Sequence, residues 1–380
     1  ILTLGITQTV GYAGSAYLPA VVAEPMARAL GAPSSLVFLA FSGAMLLQAF
    51  IGPAIGRRVD RHGGRGLLVA ASLVFAVGLT GLGLSQSPLH MALSWGVIGL
   101  GMALGLYDVA FAGLVGWFGT DARRSITGVT LIAGFASTIG WPLSAWLTQD
   151  YGWRTTCLAW AGLNLLVSLP LHLSLPRGAL HHLRPAAAAA APHARTDRRT
   201  QLNLVMVAGA FAMMAAVGSA MSAHLPALLG SLGVGAAAAV GAAALVGPAQ
   251  VAARLGELAL VRRIHPVVSG RIAVLFFPLG AAILLIVGPG AAALFAVLYG
   301  AGNGLYTIVR GALPLALFGA ADYGARQGMI NIPARLIQAA SPFLFSLLMT
   351  RSPALAVGVF GGLGLVAVAA MLALRRPAEV

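Results

Sequence analysis

One pattern constrains this chain more than any other: apolar runs of about 20 residues, the length a helix needs to cross the hydrocarbon core of a bilayer, recur from end to end. They fall at about 3–22, 36–56, 66–84, 89–118, 125–148, 154–175, 201–223, 236–258, 270–288, 291–318, 325–349 and 353–374. Each closes at a charged or Pro/Gly-rich break. In lipid every backbone polar group must be paired internally, so continuous rather than alternating apolarity means helices. The expected fold is an all-α membrane protein of twelve transmembrane helices. Composition agrees: 59% of side chains are hydrophobic and 8% charged, against roughly 25% charged in soluble proteins, which excludes an ordinary soluble enzyme.

Every one of the 23 basic residues is arginine, and the net charge is +14. Nucleic-acid binding would gather that charge on one face. Here the arginines sit in small groups between apolar runs, so no nucleic acid is expected. Short cytoplasmic loops are enriched in arginine. Placing both termini in the cytoplasm puts 17 arginines inside and three outside (Arg28, Arg154, Arg351), with Arg254, Arg310 and Arg335 within spans. The expected location is the bacterial inner membrane. The single cysteine, Cys157, forms no internal disulfide and no Cys-based metal site. The chain begins at Ile1 within an apolar run, so no targeting segment is read from it. A chain without lysine has no G-x-x-x-x-G-K-S/T phosphate loop, and no His/Cys/carboxylate cluster lies within the spans. An enzyme, a cofactor and a metal are therefore not expected, and any transport work must draw on an ion or solute gradient.

The sequence repeats. Gly105-Leu106-Tyr107-Asp108 matches Gly304-Leu305-Tyr306-Thr307, and both runs end in Phe-Gly, at Phe118-Gly119 and Phe318-Gly319. Gly52-Pro53-Ala54 pairs with Gly247-Pro248-Ala249, Leu18-Pro19-Ala20 with Leu225-Pro226-Ala227, Gly128 with Gly328 and Pro142 with Pro342, in the same order. The expected division is an N-terminal six-helix bundle over 1–176, a cytosolic linker over 177–200 carrying the alanine run 186–191, and a C-terminal bundle over 201–380. Duplicated bundles of this kind place a solute site near the midplane.

After the second run comes Gly56-Arg57-Arg58-Val59-Asp60-Arg61-His62-Gly63-Gly64-Arg65. Its glycines permit a tight turn, and Asp60 can cap a helix start or pair with a neighbouring arginine. In this loop of a duplicated twelve-span chain the sequence resembles the major facilitator superfamily, whose loop reads G-x-x-x-D-R-x-G-R/K-R/K. Gly56, Asp60, Arg61, Gly63 and Arg65 match, and Gly64 departs where a base is usual. The resemblance implies a secondary transporter working by alternating access, a monomer, with this loop as a conformational latch centred on Asp60. Glu257 with Arg262-Arg263 reads as a degraded second copy. Gly128, Gly134, Gly140 and Pro142 partly match an antiporter pattern, but small-residue packing explains them equally well.

Ionisable groups inside spans are costly and mark functional candidates. Arg335, in Asn331-Ile332-Pro333-Ala334-Arg335, offers a planar cation suited to a carboxylate or phosphate; the alternative is a permanent partner in its own bundle. Asp108 either carries a coupling proton with Arg310 as its gate, or forms a structural ion pair with it. Arg254 either serves a site or snorkels to the cytosolic face. The neutral candidates are Gln8, Tyr12, Tyr17, Tyr107, His224, Asn303, Tyr306 and Gln338, each of which can equally be a helix-to-helix hydrogen bond. The expected partners are a small anionic solute, the lipid bilayer and protons, with efflux of a drug-like or metalloid toxicant as the alternative. A transport-inactive receptor or assembly partner on the same fold is the rival of another class.

Overall fold

A computed structural model describes residues 1–176, 198–260 and 264–374, and among these no strand occurs. The helices are α1 (Leu2–Ala13), α2 (Pro19–Ala29), α3 (Ser34–His62), α4 (Arg65–Gly83), α5 (Pro88–Gly105), α6 (Tyr107–Phe118), α7 (Ala122–Ala133), α8 (Ala136–Leu163) and α9 (Leu169–Leu173), followed by α10 (Arg198–Ser231), α11 (Ala236–Ala244), α12 (Val246–Leu260), α13 (Pro266–Val287), α14 (Ala292–Phe318), α15 (Tyr323–Arg351) and α16 (Pro353–Ala373). They fall into two compact units. One holds α1–α9 with Ala320–Met329 at the start of α15; the other holds α10–α14, the remainder of α15 and α16. Most of the expected linker, with Arg262, Arg263 and the last six residues, lies outside the described residues.

The turns are written by glycine and proline. Gly31, Gly63, Gly119, Gly152, Gly233, Gly288 and Gly319 all have φ between 57° and 94°, backbone that a side chain rarely tolerates, and each falls at a break between apolar runs. Gly119 and Gly319 end the two Phe-Gly copies in this same conformation. Ser87-Pro88, His265-Pro266 and Ser352-Pro353 start α5, α13 and α16, with the preceding side chain accepting a backbone N–H of the first turn and proline at its first position.

Among the described residues, eight helical stretches are long and apolar enough to cross a membrane by length and composition. Two of them, Pro88–Leu173 with 86 residues and Pro266–Phe318 with 53, far exceed one crossing. Gly119 and Gly152 divide the first, and Gly288 the second. Large apolar side chains face outward, with Ile286 at 83% and Phe343 at 72% exposure; such surfaces suit lipid rather than water.

Several helices depart from the plain runs. The first apolar run is two helices, interrupted between Ala13 and Pro19 and extending to Ala29, where Arg28 lies 3.9 Å from Glu24 on an exposed turn. The fourth breaks at Leu106, whose ψ of −173° is extended rather than helical. In contrast α15 runs unbroken through Pro333 and Pro342.

Candidate functional site

In the first unit the break at Leu106 builds a polar centre. Leu106 turns extended, so Val109 N–H bonds the Leu106 carbonyl and the Gly105 carbonyl leaves the helical ladder. Gln8, 1% exposed, fills the gap by donating from Nε2 to that carbonyl at 2.6 Å. Gln48, 2% exposed, donates to the Met102 carbonyl at 3.0 Å, one turn earlier. Gln8 thus supplies what the broken helix lacks, while Gln48 adds a second donor to a carbonyl that Leu106 N–H still bonds at 3.2 Å. Beyond the break, Asp108 lies in the first turn of α6, where a carboxylate is favoured by the helix dipole. It lines a narrow cleft with Gln48, Gly52, Gly56, Gly324 and Gly328.

Aromatic rings gather around the same break. Tyr107 packs on Tyr12 at 4.7 Å between centroids and stacks on Phe111 at 4.9 Å. Tyr12 adjoins Tyr17 at 6.5 Å, and Tyr17 meets Trp141 edge-on at 5.5 Å. Of the sequence candidates, then, Tyr12, Tyr17 and Tyr107 come together, while Gln8 acts on backbone. In α7 and α8, Gly128 faces Ile1 and Gly140 faces Ala13 at packing distance, the small-residue reading of those glycines.

The loop after α3 has its own geometry within this unit. Asp60 Oδ1 accepts from Gly324 N at 2.7 Å and Oδ2 from Ala325 N at 2.8 Å. These are free N–H groups at the start of α15, so Asp60 caps that helix from a distance in sequence rather than from the preceding residue. The approach depends on absent side chains: a β-carbon at Gly56 would run into the Gly324 carbonyl, and one at Gly328 would come within 2.6 Å of Pro53 Cα. Gly324 and Gly328 were missed as partners of this loop. Their signal was legible, since Gly52-x-x-x-Gly56 and Gly324-x-x-x-Gly328 both follow the small-residue spacing of close helix pairs. Gly63 takes the turn with φ 79°, Arg65 donates to the Leu173 carbonyl at 2.7 Å, and Arg61 is exposed.

The second unit presents cations. Arg335 is buried at 8% exposure on α15. Arg310 Nε donates to Asn331 Oδ1 at 3.2 Å. Arg254, 4% exposed, does not snorkel: its Nη2 reaches Gln250 Oε1 at 3.1 Å and Thr307 Oγ1 at 3.5 Å. Tyr306 donates to the Phe211 carbonyl at 3.0 Å, Ser219 donates to the Gln338 carbonyl at 2.8 Å, and Asn303 lies near Gly218. His224 Nε2 sits 3.0 Å from the Pro342 carbonyl and stacks on Phe345, an interhelical contact. Glu257 turns inward at 6% exposure and accepts from Ser269 at 2.8 Å. No group of three His, Cys, Asp or Glu able to hold a metal occurs among the described residues.

A sequence profile of the Major Facilitator Superfamily matches residues 4–297. The multidrug resistance protein MdtH of Aeromonas hydrophila is 32% identical over 149 residues, 39% of this chain and 37% of MdtH. The chain spans about two fifths of the length of the curated relatives it matches. The proton:xylose symporter XylE, solved with 6-bromo-6-deoxy-D-glucose bound, superposes with a TM-score of 0.76 at 15% identity, covering 99% of this chain and 96% of XylE. The human organic anion transporter MFSD10 (TETRAN) superposes with a TM-score of 0.71 at 16% identity, covering 97% of each chain. At these identities the two structures share the fold alone.

Proposed function

Because the chain belongs to the major facilitator superfamily, we propose that it is a secondary transporter crossing the membrane twelve times, which moves a small anionic solute by alternating access. Arginine-rich loops support a bacterial inner membrane location with both termini cytoplasmic. The observation that carries the anionic reading is the burial of Arg335 within a span. A guanidinium keeps its charge at any physiological pH, and a cation kept at membrane depth suits a carboxylate or phosphate that arrives from water. Arg310, Asn303, Gln338 and Tyr306 are its proposed companions in the second unit. In the first unit, Tyr12 and Tyr107 are proposed to meet the solute, Gln8 to hold the break open, and Asp108 to exchange a coupling proton. Asp60, Gly56, Arg61, Gly63 and Arg65 form the proposed latch.

The test is flux into proteoliposomes of the purified chain, with competition by anions of graded size. Saturable uptake that anions compete and their neutral amides do not supports the reading. Uptake blind to anions overturns it. One observation favours a second reading, efflux of drug-like solutes: the row of rings Phe111, Tyr107, Tyr12, Tyr17 and Trp141 suits a flat apolar body, and MdtH is a multidrug resistance protein. Competition by planar hydrophobic cations without competition by anions selects that reading instead.

A further inference from the structure

Arg254 belongs to no motif and lies on α12, outside the arginines singled out above as solute ligands. Its burial is nearly complete at 4% exposure, yet Nε and Nη1 have no hydrogen-bond partner among the described residues. Those two nitrogens carry three of the five guanidinium N–H donors. The acid one turn further along α12, Glu257, instead accepts from Ser269 at 2.8 Å. A buried cation with most of its donors unused is costly for a fold to keep, so the arrangement calls for a reason outside the fold.

Its position is well defined. Nη2 is tied to Gln250 Oε1 at 3.1 Å and to Thr307 Oγ1 at 3.5 Å, and Thr307 in turn donates to the Asn303 carbonyl at 2.9 Å. The depth is set by Gly304, where a β-carbon would come within 2.6 Å of the Gln250 carbonyl oxygen, so α12 and α14 touch backbone to backbone. Thr307 lies fifteen residues into the 27-residue α14, about 22 Å from its first residue at 1.5 Å per residue. That places the guanidinium beside the middle third of the helix, remote from both ends.

We propose that Arg254, steered by Gln250 and Thr307, is an anion-binding residue that receives the carboxylate or phosphate of the transported solute on its Nε and Nη1 donors. Two anchored contacts on Nη2 fix the plane of the cation, and the remaining donors match the oxygens of an oxyanion. The inference rests on the anionic reading given above and adds a residue that reading does not contain.

The experiment uses the full chain in detergent and follows its thermal unfolding with benzoate, acetate, citrate and inorganic phosphate, each against a neutral control such as benzamide. Wild type is expected to be stabilised by at least one anion and by no neutral control; benzoate or acetate responding without phosphate identifies a carboxylate, and the reverse a phosphate. Arg254→Met should weaken that anion's binding on the order of 100-fold, while the ligand-free variant melts a few degrees above wild type because an unpaired buried charge is gone. Arg254→Lys should recover only part of the binding, and Thr307→Val, which keeps the cation but loosens its anchor, should weaken binding several-fold. A ligand-free Arg254→Met that melts below wild type, or fails to fold, makes the arginine structural and overturns the inference. An unchanged anion response in Arg254→Met or in Thr307→Val overturns it too, yet leaves the anionic solute standing. A wild type stabilised by none of the anions removes both.

Discussion

Gly105-Leu106-Tyr107-Asp108 and Gly304-Leu305-Tyr306-Thr307 are copies of one segment, and they have ended differently. The glycine does the same work in both: a β-carbon would come within 2.6 Å of Ala71 Cβ at Gly105 and of the Gln250 carbonyl oxygen at Gly304. The backbone beyond it does not, since the first copy breaks at Leu106 while the second runs on inside α14. The difference lies in neighbouring helices. Gln8 offers an amide to the carbonyl freed at the first break, whereas α11 is Ala, Val and Gly throughout and α10 is apolar from Leu204 to Gly218. A carbonyl freed in the second copy would find no side-chain donor on α10 or α11, and leaving it unpaired costs about 1–3 kcal/mol.

The side chains diverge in parallel. Tyr107 joins a row of rings, while Tyr306 sets its ring edge-on to Phe211 and its hydroxyl on the Phe211 carbonyl. Asp108 is replaced by Thr307, which meets Arg254. The duplicated scaffold therefore carries two chemistries, rings with an acid in one unit and guanidinium groups in the other.

The largest effect expected from this contrast is at Arg335. Arg335→Ala should abolish binding of an anionic solute, a loss on the order of 100-fold or more, in a protein that still inserts and folds. Arg335→Lys should rescue poorly, because a point charge does not replace a planar fork. Tyr107→Ala should instead shift preference between ring-bearing and ring-free solutes. Equal uptake by wild type and Arg335→Ala at matched expression would break the division of labour.

Next comes the break itself. Gln8→Leu removes the Nε2 donor from the Gly105 carbonyl and should destabilise the protein by about 1–3 kcal/mol, seen as a lower unfolding midpoint. Val207→Gln, which adds an amide to the apolar stretch of α10, should not produce a comparable local opening in α14. Hydrogen exchange at residues 305–309 would show one if it did. A Gln8→Leu protein as stable as wild type would mean that the amide does not support the break.

Much of this fold was legible because lipid punishes unpaired backbone so heavily that hydropathy alone marks the helices. The turns were legible for a local reason, since glycines with positive φ sit between the apolar runs. The latch loop was read from Gly56 and Asp60, but its receptor at Gly324 and Ala325 was not: a cap supplied across 264 residues leaves no local trace beyond glycine spacing. The break at Leu106 was equally hidden, because Gly-Leu-Tyr occurs in both copies and the amide that takes up the freed carbonyl, Gln8, is far away in sequence. Arg254 was held between a site and a snorkelling end because its depth depends on how α12 packs on α14, which residue order does not state. The grouping of Tyr12, Tyr17 and Tyr107 was expected only as a set of candidates on neighbouring spans.

The smallest effect concerns the two copies of the charged loop. Asp60 faces outward from its own helix to cap the start of α15 with both oxygens, while Glu257 at the corresponding place turns inward to Ser269. If only the first copy works as a latch, charge removal should matter only there. Asp60→Asn keeps one acceptor oxygen and loses the negative charge that favours the helix start, a combined weakening of about 1 kcal/mol. The docked arrangement of Gly324 and Ala325 should then be populated roughly fivefold less, slowing exchange between inward- and outward-facing states several-fold while affinity in each state is kept. Glu257→Gln should leave the exchange rate at the wild-type value. Fluorescence reporters of the two states, read against solute affinity in the same preparations, separate rate from binding. An Asp60→Asn protein that exchanges normally but prefers different solutes would move Asp60 from the latch to the path of the solute, and slowing by Glu257→Gln of equal size would show that both copies still work.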